Sequence, residues 1–234
     1  MCLGDWLNLV QALAIIAASI AAIFGINSWR RELKGKKRYE LAEETLSLFY
    51  KVKDIISAIR SPFGHADEGK SRPVAPGENP EQKKARDRAY VLWERYLKHE
   101  DTFNKLRTVR YRFMAIFGKE ATKPFDDLGN IVKGFASAVT VLSDAWYRQS
   151  QTYLPRTKEE IDKLEDLIDT YRAFFWEGMK KPDQINEIIS NMISGIEEIC
   201  IPVLSKKKGK PSQKAQLIGN RGAEGSQGGE GEKN

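Results

Sequence analysis

From Trp6 to Trp29 the chain carries no charged residue, and its centre reads "LNLVQALAIIAASIAAIFGI". Wound as an α-helix at about 1.5 Å per residue, such a stretch covers roughly the 30 Å of a bilayer's hydrocarbon core. Trp6 and Trp29 bracket it, where amphipathic rings favour the two membrane interfaces. A cleaved secretory signal would place basic residues before the apolar run. Here "MCLGD" precedes it with Asp5 and no Lys or Arg. A helix buried in a soluble core rarely goes so long without charge. Residues 1–29 are therefore expected to form a transmembrane anchor.

The next segment, "NSWRRELKGKKRYE", fixes a direction. Arg30, Arg31, Lys34, Lys36, Lys37 and Arg38 fall within the range that sets orientation, so the C-terminal side is expected in the cytoplasm and the N-terminus outside. Near anionic headgroups each basic residue contributes about 1 kcal/mol of attraction. The setting read from this is an inner membrane crossed once. On that topology the two cysteines, Cys2 and Cys200, lie on opposite sides and cannot pair within one chain. Small residues also recur at four-residue spacing in the span. Ala17, Ala21 and Gly25 share a face, the pattern through which two spanning helices approach closely, so a homodimer is a candidate state.

Beyond the anchor, residues 30–204 read at helical period throughout. Leu41, Thr45, Leu48, Val52, Ile55 and Ile59 alternate spacings of four and three, and Phe49 and Ile56 widen that stripe beyond a coiled-coil seam. Pro62 ends the pattern, and the Pro- and Gly-rich residues 61–80 read as a long surface loop. A helix from Glu81 to Phe117 follows, with Leu92, Tyr96, Phe103, Leu106, Phe113 and Phe117 inward and Gly118 as terminator. Pro124 opens another, whose stripe is Phe125, Leu128, Val132, Phe135, Val139, Leu142 and Trp146. Thr157 and Glu160 form a capping box before Ile161, Leu164, Ile168, Tyr171 and Phe175. Pro182 and Asp183 open the last, with Ile185, Ile189, Met192, Ile196 and Ile199 inward. The expected fold is all-α: one spanning helix, about five helices in an antiparallel bundle, and a disordered basic, Gly-rich tail over 205–234.

Chemistry is harder to find. Gly64 to Ser71 fits the phosphate-loop formula G-x-x-x-x-G-K-[ST], but that loop works by leaving a strand and entering a helix. Here a helix precedes it, "RPVAPGENP" comes after it, and Asp67 and Glu68 would put carboxylates in the cradle. The two histidines, His65 and His99, complete neither H-E-x-x-H nor E-x-x-H, so no metal or cofactor is expected. His99 falls on the inward stripe of the 81–117 helix and is expected as a hydrogen-bonded residue at the interior or edge. Arg110, on the same stripe, is expected to pair with a carboxylate of a neighbouring helix, and Cys200 to be a small buried hydrophobe. The formal net charge of +6 raises nucleic-acid binding. The basic juxtamembrane segment and Lys206, Lys207, Lys208 and Lys210 account for much of it, which speaks against nucleic acid as a partner.

Four stretches, "ELAEETLSLFYKVKDIISAIRSPFG", "RYRFMAIFGKEATKPFDDL", "FFWEGMKKPDQI" and "IEEICIPVL", resemble a group of uncharacterised bacterial proteins. Those have one N-terminal membrane span and a helical cytoplasmic region, over residues 5–204 here. The resemblance implies an inner-membrane setting and carries no activity. The expected function is a non-catalytic scaffold held at an anionic bilayer, contacting a cytoplasmic protein partner. The alternatives are a nucleotide-binding enzyme using residues 64–71 and a membrane-tethered nucleic-acid binder.

Overall fold

A computed structural model describes residues 3–152, 155–179 and 181–205, with side chains from Val10 onward. Cys2, the side chain of Trp6 and the tail from Lys206 lie outside the described residues. Every regular element among the described residues is a helix: α1 Leu3–Ile59, α2 Pro80–Leu97, α3 Glu100–Phe117, α4 Lys123–Ser150, α5 Lys158–Phe175 and α6 Gln184–Leu204. A single 3-10 turn, Lys119–Thr122, joins α3 to α4.

Helix α1 does not stop where the apolar run stops. It continues through the basic segment to Ile59, so the expected boundary at residue 29 is a change of surroundings within one helix. From Val10 to Glu40 every side chain is exposed, and Leu41 is the first buried residue. Leu41, Thr45, Phe49, Val52 and Ile56 are then almost wholly enclosed, which places the expected stripe against the other helices. Phe49 meets Phe125 of α4 edge-on at 4.9 Å, and Phe113 of α3 joins the same cluster at 5.4 Å from Phe125. Such aromatic contacts add about 1 kcal/mol each to the burial of the rings.

The direction of each helix follows from its partners. Tyr50 donates to Glu197 and Arg60 to Asn186, so α1 and α6 run antiparallel. Arg112 pairs with Glu44, and the Arg38 guanidinium lies 4.7 Å from the Phe117 ring, so α3 descends alongside α1 toward the apolar end. Helix α4 starts at that end, packs on α2, α5 and α6, and carries Phe135, Ala138 and Leu142 fully buried.

Two expectations need correction. The helix over 81–117 is two helices: α2 packs chiefly on α4, whereas α3 packs on α1, and one rod cannot follow both. The chain breaks at Lys98 and His99, with Tyr96 bridging the break against Trp93 at 4.8 Å and Phe103 at 4.9 Å. His99 is consequently exposed, not inward, and its side chain makes no cap. Ile161, expected inside, is 43% exposed, because α5 covers α4 with a narrow face of which only Ile168 and Phe175 are buried. The terminators and caps stand where they were expected. Gly118 takes φ +95 after α3, the Thr157–Glu160 capping box forms, and Asp183 caps α6 through the amides of Ile185 and Asn186.

Candidate membrane-facing and polar sites

One helix near the N-terminus is long and apolar enough to cross a membrane, and none of its apolar window is buried in the protein. Ile15, Ile16, Ile23 and Phe24 are all more than half exposed, a surface that costs free energy in water at about 25 cal/mol per Å². Ala17, Ala21 and Gly25 are exposed too, and a methyl group added at Gly25 would meet nothing within 4 Å. Trp29 ends this surface at 65% exposure.

Past Trp29 the helix runs alone for about two turns before Arg38 meets Phe117, and its charges divide around the axis. At about 100° per residue, Arg30, Arg31, Lys34, Lys37 and Arg38 share an arc of roughly 120°. Glu32, Lys36 and Glu40 fall outside that arc, and Lys36 lies 3.8 Å from Glu40. Five of the six expected anchoring cations thus line one side of the stalk, the last of them, Arg38, already against Phe117 of α3. The sequence pattern treats all six alike; the helical phase separates Lys36 from the rest.

Residues 64–71 form a pinned turn, not a cradle. Gly69 donates its amide to Glu94 at 2.7 Å, and Ser71 donates its hydroxyl to the same oxygen at 2.9 Å. Lys70 is taken by Asp67 at 2.6 Å, out in solvent. Burial opposes the charge on Glu94, but the Ser71 hydroxyl and Gly69 amide outweigh it and hold its pKa below the usual value. After Ser71 the chain stays in loop as far as Asn79. Groups that would receive a phosphate are therefore engaged by carboxylates, and no helix begins behind them. Gly69 is required sterically: its φ is +85, and a Cβ there would sit 1.9 Å from the Asp87 carbonyl oxygen.

The loop owes its order to arginines that the sequence pattern did not single out. Arg95 donates to the carbonyls of Ile59, Ser61 and Phe63 and to Glu68 at 2.6 Å. That guanidinium lowers the pKa of Glu68. Arg72 and Arg86 both reach Glu78, whose carboxyl is held below the ordinary range, chiefly by the Arg72 hydrogen bond. A groove of about 390 Å³ beside them is lined by Gln82, Thr140, Ser143 and Tyr147 as well.

Arg60 is wholly enclosed, at 0% exposure. It donates to both oxygens of Asp183 at 2.9 and 2.8 Å, to the Ala173 carbonyl and to Asn186. Burial disfavours the Asp183 carboxylate, yet the Gly178 amide and Arg60 more than compensate and depress its pKa. Glu177 completes the clamp, accepting from Ser57 and Asn186 while its amide donates to the Arg60 carbonyl. This network ties the end of α1 to the α5–α6 connection.

Two other sequence expectations are met here. Arg110 pairs with Asp126 of α4 at 2.7 Å, and Cys200 is fully buried, its thiol pushed up to about 11 by desolvation. A thiol so placed is not a nucleophile at neutral pH. Arg88 is held by aromatic rings instead. Its guanidinium lies 4.1 Å from the Trp146 ring and 5.7 Å from Trp176, and no carboxylate among the described residues pairs with it. Burial and the neighbouring Arg172 lower its pKa. Among the described residues no group of three or more His, Cys, Asp or Glu side chains could hold a metal.

The architecture is thus that of an all-helical protein with one long apolar N-terminal helix. Comparison with family models, curated proteins and solved structures yields no match for the chain.

Proposed function

We propose that this protein is a single-pass membrane-anchored scaffold whose helical part stands in the cytoplasm and acts by contact with another protein. The observation that carries the reading is the continuity of α1. One helix supplies an uncovered apolar surface, then a basic stalk, then a core stripe in the globular part. An exposed surface of that size on the first segment calls for a bilayer. Arg30, Arg31, Lys34, Lys37 and Arg38 then set the helical part on the cytoplasmic side of an inner membrane and attract anionic headgroups. Trp29 marks the cytoplasmic interface, and Trp6 the outer one.

A rigid helix from span to core transmits position, which suits a scaffold better than a flexible tether would. Along a straight α1 the buried clamp at Arg60 stands roughly 46 Å beyond Trp29. Contacts with a partner fall at the far end, where Arg88 lies on its tryptophan plates and no carboxylate among the described residues pairs with it. Ala17, Ala21 and Gly25 are the face through which two copies would pair.

The topology is tested by labelling Cys2 from outside with a membrane-impermeant thiol reagent in cells whose outer layers are opened. Labelling of Cys2 is expected. Reaction at a cysteine introduced into the exposed loop, for instance His65→Cys, with none at Cys2 would overturn the orientation. Crosslinking in native membranes, compared with an Arg88→Ala chain, tests the partner contact.

A further inference from the structure

The turn between α3 and α4 comes down to the membrane end of the protein. Phe117 stands at the level of Arg38, and Arg112 at that of Glu44, so the 3-10 turn Lys119–Thr122 lies at the foot of the helical part. Arg38 is about 14 Å beyond Trp29 along α1. With Trp29 at the hydrocarbon boundary, the headgroup layer fills roughly the first 5–8 Å of that gap. The remainder is comparable to the reach of a lysine side chain and to the Debye length of about 8 Å in physiological salt.

The chemistry of this foot matches the distance. Ile116 is 41% exposed, and Lys119 and Lys123 are both exposed on either side of the turn. Glu120 and Asp127, the latter half-buried one turn after Lys123, oppose them, while the nearby Asp126 and Glu44 are occupied by Arg110 and Arg112. Counted with Arg38 at the same level, the foot is net basic, carries an apolar side chain, and lies at the stalk end of the helical part. It is reached only by folding, since its residues lie some eighty positions after Arg38 in the chain.

We infer that Ile116, Lys119 and Lys123 form a second contact with an anionic bilayer surface, which rests on reading α1 as the span. Two contacts fix the tilt and rotation of the helical part, whereas the stalk alone would leave it free to swivel.

The test uses the full chain with Cys2→Ser in nanodiscs of phosphatidylcholine, with or without phosphatidylglycerol. A donor dye is placed on Ala115→Cys, an exposed position, while buried Cys200 stays unlabelled. An acceptor dye sits on a trace headgroup-labelled lipid. Energy transfer is expected to be stronger on the anionic bilayer and to fall to the neutral level in Lys119→Glu/Lys123→Glu. Equal transfer on the two bilayers, or no response to the charge reversal in a variant with unchanged melting, would overturn the contact. Retention of the chain in alkaline carbonate pellets reports on the span separately. Loss of retention sinks the anchor and this contact together; retention without a transfer change sinks the contact alone.

Discussion

Arg60 and the cations between Arg30 and Arg38 belong to one helix, yet their surroundings are opposite. The stalk residues are exposed and divided by helical phase, with the only ion pair among them the loose one from Lys36 to Glu40. Arg60 is sealed, and its two terminal nitrogens meet four oxygens from α5, α6 and the residue before α6. A charge left in high dielectric acts at a distance and weakly on folding. A charge taken out of water is useful only where its partners are fixed, and removing one partner strands the other. The same kind of charge thus stays in solvent at one end of α1 and serves the fold at the other.

The comparison breaks most directly at Arg60. Arg60→Ala should cost about 3–5 kcal/mol by leaving the Asp183 carboxylate without its counter-charge and the Asn186 Oδ1 without its donor, and lower the melting temperature by on the order of 10 °C. Replacing Lys34 and Lys37 by Gln should change stability by less than about 1 kcal/mol. Thermal melts of both in one detergent decide the matter. If the two chains melt alike, the enclosed clamp does not carry the stability argued for it.

A smaller loss is expected at Gly69→Ala. The residue must hold φ +85, and its Cβ would collide with the Asp87 carbonyl. The strain of a non-glycine at such a φ is of order 1–3 kcal/mol before the collision is relieved. Proteolysis within residues 61–79 should then outpace that of the parent chain. An unchanged cleavage pattern would mean that the loop is not held through Gly69.

Acid sharpens the contrast further. Asp183, Glu94, Glu78 and Glu68 all have folded pKa values below their ordinary ones. Carboxylates so depressed contribute stability that is complete above their unfolded values near about 4, and that is lost as pH falls through the folded values. Melting temperature should hold between pH 7 and about 5 and drop below. Asp183→Asn, already weakened at pH 7, should show a shallower decline. A parallel decline would place the acid sensitivity elsewhere.

How much of this could be read from the sequence depends on whether one helix face suffices to define the feature. The long apolar helix, the stripe from Leu41 to Ile59 and the Thr157 capping box are all local, and each lies where its pattern put it. The break at Lys98–His99 has no Gly or Pro to announce it. It arises because α2 and α3 choose different partners, which no local pattern contains. Arg60 and Arg95 obey the same logic. Nothing in the sequence around either names its partners, and only the meeting of α1, α2 and the α5–α6 connection encloses it. Within the candidate membrane site the cluster was legible, while the exclusion of Lys36 from its face needed the helical phase of a continuous α1.

The smallest expected effect lies within the span, where no charge acts at all. Ala17, Ala21 and Gly25 leave one side of α1 nearly smooth, with open space at Gly25. Between helices in lipid the driving force is close backbone packing, since tails are as apolar as side chains. Ala21→Ile adds bulk at the middle of that face and keeps the segment apolar, so insertion should be unchanged. The stalk cations of two copies repel, but headgroups and salt screen exposed charges beyond a Debye length of about 8 Å. A dimer held by this face should therefore loosen by only a few-fold, read as reduced energy transfer between labelled copies at fixed lipid dilution. Neutralising Lys34 and Lys37 should move the same signal the other way, by relieving repulsion. Transfer that ignores Ala21→Ile but responds to the stalk would place the contact above the membrane, where the helices are lined with charge and not with small residues.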